Sequence, residues 1–158
     1  MTVPETRPRQ IDPRGPRFGA AITSVLLAVD IVLALTGQRL AALILLGVIA
    51  VLFAIGASGA PFHPWSLIFA RLVRPRLAPP AETEDAAPPR FAQLVGLVIT
   101  GIGFVLGLVG VHAAVPISAA LAFIAAFLNA SIGFCLGCQL YGLLVRLRSK
   151  PVSGPSQA

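Results

Sequence analysis

Four stretches of the chain run for about twenty residues with almost no charged side chain: Phe18 to Thr36, Leu40 to Gly59, Phe91 to Val111, and Pro116 to about Phe134. A helix needs roughly 20 mostly apolar residues to cross a hydrocarbon core of about 30 Å, and each stretch qualifies. None shows the apolar–polar alternation of membrane-barrel strands. The pattern predicts an all-α integral membrane fold with four transmembrane helices in two helical hairpins. Thr36-Gly37-Gln38-Arg39 and Gly110-Val111-His112-Ala113 supply the two tight turns, where glycine tolerates a helix-ending conformation. Between the second and third spans, Trp65, Phe69 and Leu72 recur at helical spacing beside Arg71 and Arg74. That spacing predicts a short helix lying at the membrane interface. Pro75 to Pro89 is rich in Pro and Ala and carries Glu82, Glu84 and Asp85, a composition too poor in apolar area to order itself. The expected organisation is an N-terminal arm at 1–17 and a membrane domain at 18–148, with a flexible linker at 75–90 and a disordered tail at 149–158. Apolar character continues from Pro116 to Leu147, longer than one crossing, so the fourth helix should tilt or bend at Gly133.

Composition agrees: of 158 residues, 56% are hydrophobic and 11% charged, against roughly 25% charged in soluble domains. The net charge of +6 could suggest nucleic acid, but its placement argues against it. Eleven of the twelve basic residues lie in the N-terminal arm, the central loop and the tail; the turns after the first and third spans hold only Arg39 and His112. Basic flanks stay on the cytoplasmic side, so both termini and the central loop are expected there, in a bacterial inner membrane. The first span is longer than the apolar core of a secretion signal and lacks a small-residue cleavage site, so it reads as a retained helix.

Sliding the chain by 73 positions superposes Arg17-Phe18 on Arg90-Phe91, Gly37 on Gly110 and Ala57-Ser58 on Ala130-Ser131. Eleven of the forty-four pairs from Arg17 to Ala60 are identical, but apolar sequence matches itself easily. A duplicated hairpin and a chance match both remain open on this ground. A duplication would be of the parallel kind, with its axis along the membrane normal. Gly103-xxx-Gly107 and Gly133-xxx-Gly137 are small-xxx-small patterns that let helices approach closely, predicting a close third–fourth pair.

Little of the chain looks like chemistry. Cys135 and Cys138 are three residues apart, on one face if the helix is continuous and about one turn apart, within disulfide reach. About 28 Å of rise from Pro116 puts Cys135 at the inner boundary, where cytoplasmic thiols are reduced at rest. Two cysteines fall short of a structural zinc site. Gln139 stands where covalent haem attachment needs His, so no cofactor or metal is expected. The competing reading is that both thiols merely pack at the Gly133–Gly137 contact. His63 is the candidate base, since a histidine beside a thiol favours its ionised form; a lone interfacial histidine more often just bonds the backbone. Asp30 is the only acid inside a span, a costly placement. It reads either as a polar packing contact, bending toward Arg39 or His112, or as part of a proton or substrate path.

Asp12-Pro13-Arg14-Gly15, Pro64-Trp65, Arg71-Leu72-Val73-Arg74-Pro75 and above all Phe134-Cys135-Leu136-Gly137-Cys138 with Tyr141 resemble one bacterial membrane family, catalogued as domain of unknown function 4395. The resemblance covers about Ile11 to Arg148. It departs at Gln139, where family members often carry an acid, which argues against a role for a carboxylate beside these thiols. Family members resemble companions of thioredoxin-like and sulfurtransferase proteins. That implies a membrane dithiol protein exchanging electrons or sulfur with such a partner. The alternative from the residues alone is a small transporter or scaffold in which the cysteines only pack.

Overall fold

The computed structural model describes residues 10–148; the expected tail at 149–158 and the first nine residues of the arm lie outside them. Two long hairpins dominate. Helices α1 (Arg14–Leu35) and α2 (Arg39–Ser58) form the first. After a short α3 (Pro64–Ile68), α4 (Ala87–Leu108) and α5 (Ala114–Ile132) form the second, and α6 (Leu136–Arg148) follows. All four long helices are long and apolar enough to cross a membrane. They stand in a ring in the order α1, α5, α4, α2, closed by α2 against α1. Leu27, Leu46, Ile49, Val115 and Ala119 fill the centre, while Val25, Val51, Val98 and Ile117 point outward and are more than half exposed. Such an outward apolar surface is what lipid, and not water, would solvate.

The helix starts are earlier than hydropathy alone suggests. The Asp12 carboxylate accepts the Arg14 backbone N–H and both arms of its guanidinium, each at 3.0 Å, so the helix begins at Arg14, four residues before Phe18. Those bonds, the Arg14 side chain foremost, hold the Asp12 carboxyl below its usual pKa. Their contribution is present at neutral pH and is lost as pH falls through that lowered value. Asp85 repeats the arrangement by accepting the Ala87 N–H at 2.9 Å. The end of the expected linker is therefore structured. Glu84–Asp85 (β2) pairs antiparallel with Gln10–Ile11 (β1), and Ala87 to Arg90 form the first turn of α4.

Beyond α3 the helix widens into a π turn at Phe69–Val73 and tightens into a 3-10 turn at Arg74–Arg76. Pro75 supplies no N–H to carry a regular helix onward. Phe69 is buried against Phe18, ring centroids 5.8 Å apart, whereas Leu72 is exposed.

The expected long fourth helix is two helices. Gly133 takes φ +73, and the Gly133 and Phe134 N–H groups bond back to the Asn129 and Leu128 carbonyls, closing α5 with a left-handed end. Gly133 and Gly137 therefore do not form one helix face. Gly137 instead faces Ala92 of α4, whose Cα would lie 2.5 Å from an added Cβ. Gly103 does seat α4 on α5, against Ser118 and the Ala114 carbonyl. Even so, the most extensive pairings are α1 with α5 and α2 with α4.

The internal repeat is structural. α1 and α4 are both 22 residues long and start 73 positions apart. Gly37 and Gly110 take φ 84 and 95, and Asp12 and Asp85 each accept the first N–H of the helix that follows. Phe91 and Tyr141, centroids 5.7 Å apart, form a ring pair like that of Phe18 and Phe69, with Tyr141 one residue off the register. Arg90 donates to the Ser58 carbonyl at the end of α2 at 2.9 Å, and its counterpart Arg17 lies over Gly133 at the end of α5. The first helix of each half thus packs on the second helix of the other.

Candidate dithiol site

Breaking the chain at Gly133 changes what the two cysteines are. Cys135 is not within a helix but caps one. Its carbonyl accepts the Gln139 N–H at 3.0 Å, which makes it the N-cap of α6. Its Sγ accepts the Cys138 N–H at 3.3 Å, the bond that an N-cap oxygen usually takes. Sulfur accepts it weakly as a thiol and far better as a thiolate, because the helix N-terminus favours negative charge. The two sulfurs are joined as a disulfide, with the Cα atoms 5.1 Å apart, inside the usual range. Both cysteines are half-buried.

The dithiol lines a cavity of about 460 Å³ bounded by α1, α2, α4, α5 and α6. At the cysteine end it is lined by Arg17, Gln93 and Asn129; deeper in it is lined by Phe53, Ile99 and Leu121. The Arg17 guanidinium approaches within 3.3 Å of where a Gly133 Cβ would sit, so a cation stands near the first cysteine. Sequence reasoning counts Arg17 only as a topology charge. The signal that could have found it is the 73-residue register, which pairs it with Arg90 at the same end of the other hairpin.

His63 lines a different cavity, of about 400 Å³, together with Trp65, Arg74 and Arg90. The two cavities are counterparts under the repeat, and Pro16, Pro89 and Gln93 contribute to both. His63 is the N-cap of α3, buried, and in edge contact with Trp65 at 6.4 Å. Burial pushes its pKa below the ordinary value, against an opposing hydrogen bond to the Leu52 backbone. Trp65 Nε1 is buried without a hydrogen-bond partner among the described residues.

Asp30 has 0% exposure, and neither carboxylate oxygen has a hydrogen-bond partner among the described residues. Arg39 and His112 do not reach it; they line a cavity of about 300 Å³ at the ends of the hairpin turns. No group of three or more His, Cys, Asp or Glu suited to a metal ion occurs among the described residues.

A family model described as domain of unknown function (DUF4395) matches residues 11–146. No curated protein and no solved structure matches the chain.

Proposed function

The chain belongs to the domain of unknown function 4395 family, and from that footing we propose that this multi-pass membrane protein carries out thiol exchange at Cys135 and Cys138. The observation that carries the reading is the capped dithiol: a sulfur pair at a helix start, with an N–H aimed at Cys135 Sγ and a cavity in front of it. The partner is a cytoplasmic thioredoxin-like or sulfurtransferase protein. Arg14, Arg17, Arg90 and Arg146 flank the dithiol end of the spans and only Arg39 and His112 the other, which supports a cytoplasmic position for that end.

The exchange balances without a cofactor. The Cys135 thiolate attacks a partner disulfide, forming a mixed disulfide and expelling one partner thiolate. Cys138 then attacks Cys135 Sγ, forming the internal disulfide and releasing the second partner thiol. Two electrons pass to the partner, which takes up the two protons that the cysteines lose. With a persulfide donor, Cys135 takes the outer sulfur and leaves a thiol on the donor; attack by Cys138 then expels hydrosulfide. Mass-tag alkylation in intact cells tests the reading. The tagged fraction should rise with a reductant and fall with an oxidant. Thiols that stay equally reduced under every oxidant and sulfur supply exclude it.

The unpartnered Asp30 favours a second reading, a proton path through the bundle. Vesicles holding the wild-type protein would then pass protons to an internal pH dye, and Asp30→Leu would not. Without such a path, Asp30→Leu only removes a buried, unsatisfied carboxylate and raises the unfolding midpoint, a gain of about 1–3 kcal/mol.

A further inference from the structure

The dithiol cavity is deeper than thiol exchange with a soluble protein requires. Leu121 lies eleven residues before the end of α5 at Ile132, and Ile99 twelve residues after the start of α4 at Ala87. At 1.5 Å per residue the cavity reaches about 16–18 Å into the spans. That depth is lined by Phe53, Ile99 and Leu121. Leu121 keeps 54% of its surface exposed at that depth, free for an apolar molecule to cover. A small oxyanion or a peptide gains nothing from an apolar shaft in the bilayer, where an unpaired charge is costly. A molecule already dissolved in the lipid gains burial there. Apart from Thr23, the polar groups gather at the other end, where Arg17, Glu84, Gln93, Asn129 and Gln139 share the wall with Cys135 and Cys138.

We propose that this cavity binds a lipid-soluble quinone, which oxidises the Cys135–Cys138 dithiol. The inference rests on the dithiol reading and names the second substrate of that same site: the exchange run in reverse, with a partner dithiol reducing the Cys135–Cys138 disulfide and leaving as a disulfide, returns the dithiol that the quinone oxidises. A volume of about 460 Å³ falls within the roughly 300–1,000 Å³ of small-molecule sites. The ring sits at the cysteine end, with its carbonyl oxygens accepting from the side chains of Arg17, Gln93 or Asn129, and the isoprenoid tail leaves past Leu121. The Cys135 thiol gives up its proton to one quinone oxygen, and its sulfur bonds to a ring carbon. Cys138 then attacks Cys135 Sγ; the S–S bond forms, the C–S bond breaks, and its electron pair stays on the ring. The Cys138 proton goes to the second oxygen. The dithiol is oxidised by two electrons, and the quinone leaves as the hydroquinone.

The test uses the full-length protein, pre-reduced and placed in lipid nanodiscs. One arm receives a fully substituted short-tail quinone, followed by its ultraviolet absorbance; the other receives a soluble disulfide, and mass tagging reports the cysteines in both. One hydroquinone should appear for each disulfide formed. Ala125→Phe, which fills the shaft, should lower the ratio of quinone rate to disulfide rate by at least about tenfold. If that variant fails to fold, Ala125→Leu takes its place. Oxidation by the soluble disulfide but not by the quinone overturns the inference and leaves the dithiol reading standing, as does a ratio that the filled shaft does not change. A dithiol that neither oxidises removes both.

Discussion

Replacing Cys138 by serine will leave Cys135 held in stable mixed disulfides with its partner, and replacing Cys135 by serine will abolish their capture. The asymmetry follows from the cap. Only Cys135 Sγ receives the Cys138 backbone N–H, a bond that the main chain still donates when serine replaces the side chain. Only Cys135 stands at the start of α6, where the helix dipole favours its thiolate. Cys138 lies within the first turn, and in the proposed exchange it resolves. In Cys138→Ser the first attack proceeds but nothing displaces the partner. The variant protein, run without reductant, should show a heavier band that vanishes with it. Alkylation at neutral pH should be roughly tenfold faster at the lone Cys135 than at the lone Cys138 of Cys135→Ser. Equal rates would remove the assignment of Cys135 as nucleophile.

Gly103→Ala will lower the unfolding midpoint sharply, whereas Gly101→Ala, two residues away, will not. A Cβ at Gly103 collides with the Ser118 side chain and comes within 3.2 Å of the Ala114 carbonyl; at Gly101 nothing lies within 4 Å. Ser118 is buried, with its hydroxyl bonded to the Val115 carbonyl, so the rotamer has no free space to turn into. Separating α4 from α5 to make room should cost about 1–3 kcal/mol, set against the modest gain in helix propensity that alanine brings at both positions. Ser118→Gly in the same chain should recover most of the loss at Gly103. Thermal melts of the single and double variants in detergent, read as a double-mutant cycle, check it. Additive losses would mean that the two residues do not meet.

The spans were legible because lipid demands long apolar runs, and length settles helix against strand there. The short helix after the second span was legible from the spacing of Trp65 and Phe69. The break at Gly133 was not. Hydropathy sees Phe134, Cys135 and Leu136 as a continuation of α5, and a lone glycine within an apolar run is compatible with a bend. Only the backbone turn at φ +73 and the docking of Gly137 on Ala92 make it a stop and a restart. The spacing of Cys135 and Cys138 was visible, but their relation to a helix start depended on that break. Arg17 was hidden by its own plausibility as a topology charge. The separation of His63 from the cysteines into two cavities needed the three-dimensional repeat; the linear register places both simply at the same end.

The exchanged packing of the two halves bears on how the chain is assembled. When α1 and α2 leave the insertion machinery, their most extensive neighbours, α5 and α4, have yet to be translated. Much of the first hairpin's protein-facing surface therefore stays against acyl chains until the last span arrives. The dithiol, carried beyond the fourth span, reaches its cavity only after all four spans have been made, so the walled site exists only in an assembled bundle.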